Sequence, residues 1–154
     1  MSSVKLGCSC CPIENSLSGK LILKSGDIIL PLKRILSSNI EIIIDSGRII
    51  SIVGGSEAGL LREWFEKWND PNSYIISHIG FGCEPRAEVG SMEMMQWESY
   101  AGNMMIAFGN NTGYFLDGVN KAKSHIDFVC FDCDFILDGK AVVKRGEFVE
   151  EMFK

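Results

Sequence analysis

The chain has 154 residues, 46% of them hydrophobic and 23% charged, and its 15 Lys and Arg against 20 Asp and Glu leave a net charge of −5. This is ordinary globular composition at the usual length of one domain, so disorder and collagen-like repetition are excluded and residues 1–154 are expected to fold as a single domain. There is no basic run to read nucleic acid, no apolar stretch near the roughly 18 residues of a membrane helix and no signal-peptide core at the start, so a cytoplasmic protein with neither nucleic acid nor membrane as partner is expected.

Short β-branched runs separated by turn residues predict strands of a mainly antiparallel sheet at Leu21–Leu23, Asp27–Leu30, Ile40–Ile44, Arg48–Val53 and Ile126–Val129. A further pair flanks Asp138-Gly139, a strong two-residue hairpin signal, with Ser46-Gly47 and Ser25-Gly26 as weaker ones. One helix is predicted to start with Ser56 as its cap. It carries Leu60, Leu61, Trp64, Phe65 and Trp68 as an inward stripe and stops at Asn69-Asp70-Pro71. A second helix is expected over about 93–107, its methionines serving as adaptable core filler. The fold class is therefore α+β, mainly antiparallel sheet with two or three helices.

Only two histidines occur, and they stand in matching words, Ser77-His78-Ile79-Gly80-Phe81 and Ser124-His125-Ile126-Asp127-Phe128. On a strand, each imidazole projects from the face opposite its neighbouring Ile, whereas His125 and Asp127, two residues apart, share a face. With His78 they make two imidazoles and a carboxylate, the facial set suited to Fe(II) and also accepted by Zn(II) or Mn(II). The alternative is a pair of structural histidines, one of them salt-bridged to Asp127.

Six cysteines add Cys130-Phe131-Asp132-Cys133 and Cys8-Ser9-Cys10-Cys11, which together match no common zinc spacing. A redox Cys-x-x-Cys needs a helix N-terminus, and this one lies among strand-like residues, so buried reduced thiols are expected. The other polar candidates are Glu14, Glu84, Arg86, Glu88, Glu98 and Asn103. Arg86, with Glu84 in the loop after Gly80-Phe81-Gly82, suits a two-pronged contact to a substrate carboxylate. Gly109 to Gly113 lacks the strand and helix context of a phosphate loop.

Six words in fixed order carry a resemblance: Cys11 to Gly19, Asp45 to Gly55, Ser77 to Gly82, Met105 to Asn110, Ser124 to Asp127 and Leu137 to Gly146. Together they resemble the C-terminal half of a metalloenzyme superfamily. It contains the iron-dependent 2,5-dihydroxypyridine 5,6-dioxygenases and, more distantly, metallo-aminopeptidases of the aminopeptidase T type. The resemblance implies an α+β metal-binding domain with His78, His125 and Asp127 as ligands of a divalent metal, Fe(II) favoured over Zn(II) or Mn(II). It also implies a small-molecule substrate, a hydroxylated heteroaromatic ring opened with dioxygen. A metallo-aminopeptidase-like hydrolase domain and a non-catalytic assembly or binding module are the alternatives.

Two departures from the family pattern bear on the site. Family members place a Gly-Glu pair before the Pro-x-Glu-x-Ser word, and its Glu is a further ligand. Here Gly7 is followed by Cys8, which leaves Glu14 as the nearest substitute and Cys8 or Cys10 as others. The family's N-terminal domain has no counterpart in this sequence. A homo-oligomer, or a separate subunit in place of that domain, is therefore expected to cover the metal face.

Overall fold

The computed structural model describes residues 7–13, 15–88, 94–113 and 116–149. In chain order these form β1 (Gly7–Cys10), β2 (Gly19–Leu23), β3 (Ile28–Ile29), β4 (Arg34–Ile35), β5 (Ile40–Asp45), β6 (Arg48–Gly54) and helix α1 (Ser56–Glu66). Then come β7 (Ile76–Gly82), helix α2 (Met94–Ser99), β8 (Met104–Gly109), β9 (His125–Cys130), β10 (Phe135–Leu137), β11 (Lys140–Lys144) and β12 (Glu147–Phe148). Three antiparallel sheets result: a six-stranded one in the order β1-β7-β8-β9-β3-β4, and the three-stranded β2-β5-β6 and β10-β11-β12.

The large sheet is covered differently on its two faces, and this decides where the chemistry sits. One face presents Ile76, Phe108, Ile126 and Phe128 to Leu23, Ile40, Ile42 and Ile52 of the β2-β5-β6 sheet and to Ala58, Leu61, Trp64 and Phe65 of α1. This is the main core, and burying such side chains contributes roughly 1.5–3 kcal/mol each. The other face carries a smaller cluster of Ile28, Leu30, Trp97, Met105 and Val129, and beside it lies the polar row described below. Strand β8 is thus covered on both faces, which is why it reads as an almost continuous apolar run, whereas β9 alternates core residues with His125 and Asp127.

The hairpin signals hold at Ser46-Gly47 and Asp138-Gly139. Both residues of each pair have positive φ (48° and 77°, 51° and 78°), the conformation whose twist matches the flanking strands. Ser25-Gly26 makes a turn but no hairpin, since β2 pairs with β5 and β3 pairs with β4 and β9.

Three expectations are corrected. Gly55, not Ser56, occupies the N-cap of α1, and no side chain caps it. Leu60, read as part of the inward stripe, is largely exposed. The stretch 93–107 is not one helix, because α2 stops at Ser99 and Met104–Gly109 is a central strand. Gly102 marks the break: its φ is +86° and a Cβ there would lie 1.6 Å from the Gly146 carbonyl oxygen, so no other residue passes this point unstrained. Among the described residues, no helix is long and apolar enough to cross a membrane.

Candidate metal centre

Register across three strands assembles the site. His78 on β7 pairs with Ala107 on β8, which pairs with Asp127 on β9, and residues in register share a face. Two residues along, and so on the same face, His125 pairs with Gly109. His78 and Asp127 stand two strand spacings apart, about 9.5 Å, and their side chains meet over the fully buried Ala107.

Two local irregularities aim the imidazoles. Ile76 faces Phe108 in the core, and strict alternation would put His78 on that same apolar face. A bulge at Ser77 inserts one extra residue and turns His78 to the opposite face, the re-aiming that bulges perform beside functional sites. On β8, Gly109 has φ +101°, and a Cβ there would fall 2.2 Å from the Ser124 carbonyl oxygen. Only glycine permits the close approach that brings the start of β9 against β8.

The resulting geometry is convergent. His78 Nε2 lies 3.2 Å from Asp127 Oδ1 and His125 Nε2 lies 3.2 Å from Asp127 Oδ2, while the two rings stack with centroids 5.3 Å apart. One ligand atom from each residue lies within 4.8 Å of the other two. His78 is buried, Asp127 nearly so, and the His125 side chain is 34% exposed, so the trio opens outward on one side.

The neighbours of His125 fix its tautomer. Its Nδ1 donates to the Asn110 carbonyl at 2.8 Å, and that carbonyl also accepts the Ser77 hydroxyl at 3.1 Å. Asn111 braces the bulge, its amide donating to the Ser77 carbonyl at 3.4 Å while its oxygen accepts the Asn120 N–H at 2.7 Å. Asn120 in turn donates to the Gly109 carbonyl at 2.8 Å. Burial pushes the His125 imidazole down in pKa, yet the Asp127 carboxylate and the Asn110 carbonyl outweigh it and the net shift is upward. Burial likewise opposes ionisation of Asp127, but the two imidazoles hold its carboxyl well below the usual carboxylate range.

These groups suit a divalent metal. With His125 Nδ1–H committed to a carbonyl, its Nε2 faces the carboxylate with a lone pair unless a second proton is added, and a shared cation removes that conflict. Metal–ligand bonds of about 2.0–2.2 Å place neighbouring ligand atoms roughly 3–3.5 Å apart, and both Nε2–carboxylate separations fall in that range. The donor set, two imidazoles and a carboxylate, is the one non-haem iron takes.

The remaining candidates divide. Glu14 lies outside the described residues. Cys8 and Cys10 pair with Phe81 and Ile79, so they stand on the face opposite His78 and cannot join the trio. Their exposure also departs from the expectation of buried thiols, which holds for Cys130. Glu84 is buried, and Arg86 lays its guanidinium fork on it at 2.8 and 3.0 Å. Asn103 ties α2 to the end of β7, its oxygen accepting the Gly82 N–H at 2.7 Å and its amide donating to the Trp97 carbonyl. Glu98, on the same helix, acts electrostatically on His125. Reading the sequence did not single out Ser77, Ala107, Gly109, Asn111 or Asn120 as parts of the site. Two asparagines on either side of a glycine-bearing loop were the available signal.

An antiparallel α+β scaffold collects two imidazoles and an aspartate on one face of its main sheet, a group whose donor atoms lie close enough together to hold a metal ion. The comparisons make this specific: the chain belongs to the 2,5-dihydroxypyridine 5,6-dioxygenase (NicX) family, whose model matches residues 5–150. A 2,5-dihydroxypyridine 5,6-dioxygenase of Pseudomonas putida (strain KT2440) is 40% identical over 146 residues, covering 90% of this chain and 41% of that protein. The solved structure of 2,5-dihydroxypyridine dioxygenase from Pseudomonas putida KT2440 superposes with a TM-score of 0.84 at 40% identity, covering 90% of this chain and 42% of that one. The chain thus spans about two fifths of the length of these relatives.

Proposed function

We propose that the domain holds Fe(II) through His78 Nε2, His125 Nε2 and an Asp127 carboxylate oxygen, and that it serves the ring-opening dioxygenation of a hydroxylated heteroaromatic substrate. The single observation that supports this is the convergence of those three groups on one point of the sheet, in a chain whose relative is a 2,5-dihydroxypyridine 5,6-dioxygenase. Bound there, Fe(II) would supply Lewis acidity and the electron exchange that lets a closed-shell ring react with dioxygen.

The chain's own residues would supply charge, orientation and access. Asp127 contributes the negative charge that a cation needs, and the Asn110 carbonyl keeps the His125 Nε2 lone pair turned inward. The exposed side of His125 is the approach for a substrate ring. Glu84 fixes the Arg86 fork, and in this reading the guanidinium N–H groups turned away from Glu84 receive an anionic group of the substrate. Glu14 is assigned the fourth ligand position. A second copy or a separate subunit covers the open side, and the cytoplasm is the compartment in which the domain works.

The test loads the purified chain with Fe(II) under argon, adds 2,5-dihydroxypyridine, and then admits air. Oxygen uptake matching loss of the ring absorbance, abolished in His125→Ala, is expected. A metal-loaded protein that cleaves aminoacyl amides without consuming oxygen would establish the hydrolytic alternative. Light scattering on the same sample should show an assembly larger than one chain.

A further inference from the structure

The Cys130-x-x-Cys133 turn takes no part in the metal centre. Cys130 ends β9 three residues after Asp127, so its side chain enters the main core on the opposite face of the sheet. Cys133 is half-buried, packs against the core cluster that contains Cys130, and has its thiol within 3.4 Å of the Phe131 carbonyl oxygen. Two thiols of one short turn thus differ sharply in access, one sealed in the core and one reachable from solvent.

The turn is held rigidly from three sides. Asp132 sits at φ +51°, which folds the chain back between the cysteines. On Phe131, the Lys24 ammonium donates to the carbonyl at 2.9 Å while the Asp27 carboxylate accepts the N–H at 3.0 Å. The Gly146 N–H donates to the Cys133 carbonyl at 3.0 Å. A backbone so fixed holds the two cysteines at the ends of one short turn, packed in the same core cluster, and a reaction between them loses little chain entropy.

We propose that Cys130 and Cys133 form a dithiol–disulfide site, oxidised by small-molecule disulfides such as glutathione disulfide. Cys133 thiolate attacks one sulfur of the glutathione disulfide and expels a glutathione thiolate, leaving a mixed disulfide on Cys133. Cys130 then gives up its proton and attacks the Cys133 sulfur, expelling the second glutathione. In sum, two protein thiols and one glutathione disulfide become one protein disulfide and two glutathione thiols. The second step is intramolecular, so the burial of Cys130 does not obstruct it.

The electrostatics favour this order of attack. The Cys130 thiol and the Lys24 ammonium lower the Cys133 pKa against its partial burial, whereas the Cys133 thiol and deep burial push Cys130 up. The proposal stands independently of the metal reading, since neither cysteine touches the trio.

The experiment incubates fully reduced protein with glutathione disulfide, then maps disulfides by mass spectrometry after blocking free thiols. Wild type should lose two hydrogens as a Cys130–Cys133 link. Cys130→Ala should instead accumulate one glutathione on Cys133, and Cys133→Ser should form no link involving Cys130. Circular dichroism of both variants shows whether they fold, and differential alkylation of reduced wild type supplies a measurement that needs no variant, with Cys133 reacting several-fold faster than Cys10. Glutathione carried on Cys8 or Cys10 in preference to Cys133, or an internal link that excludes Cys130, would overturn the proposal.

Discussion

His78 and Asp127 meet at 3.2 Å although an entire strand separates their backbones, and the residue beneath their contact is the fully buried Ala107. The small side chain of Ala107 is what allows the two longer ones to close over β8. Replacing it with valine adds two methyl groups in the crowded row, at an overpacking cost of about 1–3 kcal/mol. Metal affinity should fall roughly 10–100-fold, as when outer partners of metal ligands are lost. Chelator competition on Ala107→Val and Ala107→Gly checks this, and the valine variant should lose far more affinity than the glycine variant.

Asn111 holds both ends of the site's support, the Ser77 bulge through its amide and Asn120 through its oxygen. Asn111→Ala leaves a buried carbonyl and a buried N–H without their partner, which costs about 1–3 kcal/mol for each unsatisfied group. Urea unfolding should report that loss. A titration with Co(II) should in addition show a weaker and altered visible spectrum, because the bulge that aims His78 is no longer braced.

Glu57 gives the fold a defined acid sensitivity. It is 2% exposed, and burial pushes its carboxyl up. The hydrogen bonds from Ser38, Arg34 and Ser37 prevail and hold its pKa at about 2 against the ordinary 4.5. A carboxyl depressed in the folded state contributes stability that is complete above its unfolded value and disappears as pH falls through the folded one. The stability of the wild type should therefore drop between pH 4.5 and about 2. Glu57→Gln should be less stable at neutral pH and show a flatter profile across that window, as read by thermal melts at stepped pH.

Much of this architecture is legible from residue order. Asp138-Gly139 and Ser46-Gly47 announce their hairpins because only a few residues accept two successive positive φ angles. The shared face of His125 and Asp127 follows from the two-residue period of a strand. What escapes is whatever depends on partners distant in sequence. The run Met104–Gly109 is apolar on both faces, and without knowledge of its neighbours it is indistinguishable from a buried helix. The Ser77 bulge leaves no trace in composition, because it is set by pairing with β8. Cys8 and Cys10 fall on the wrong face for a reason visible only in the register of β1 against β7.

The most direct test of the account is metal stoichiometry. Protein dialysed against Fe(II) under argon and then analysed for bound metal should hold one ion per chain, and His78→Ala, His125→Ala and Asp127→Ala should each abolish it while remaining folded. A chain that binds no ion, or that keeps its ion after any of these three substitutions, would contradict the central claim.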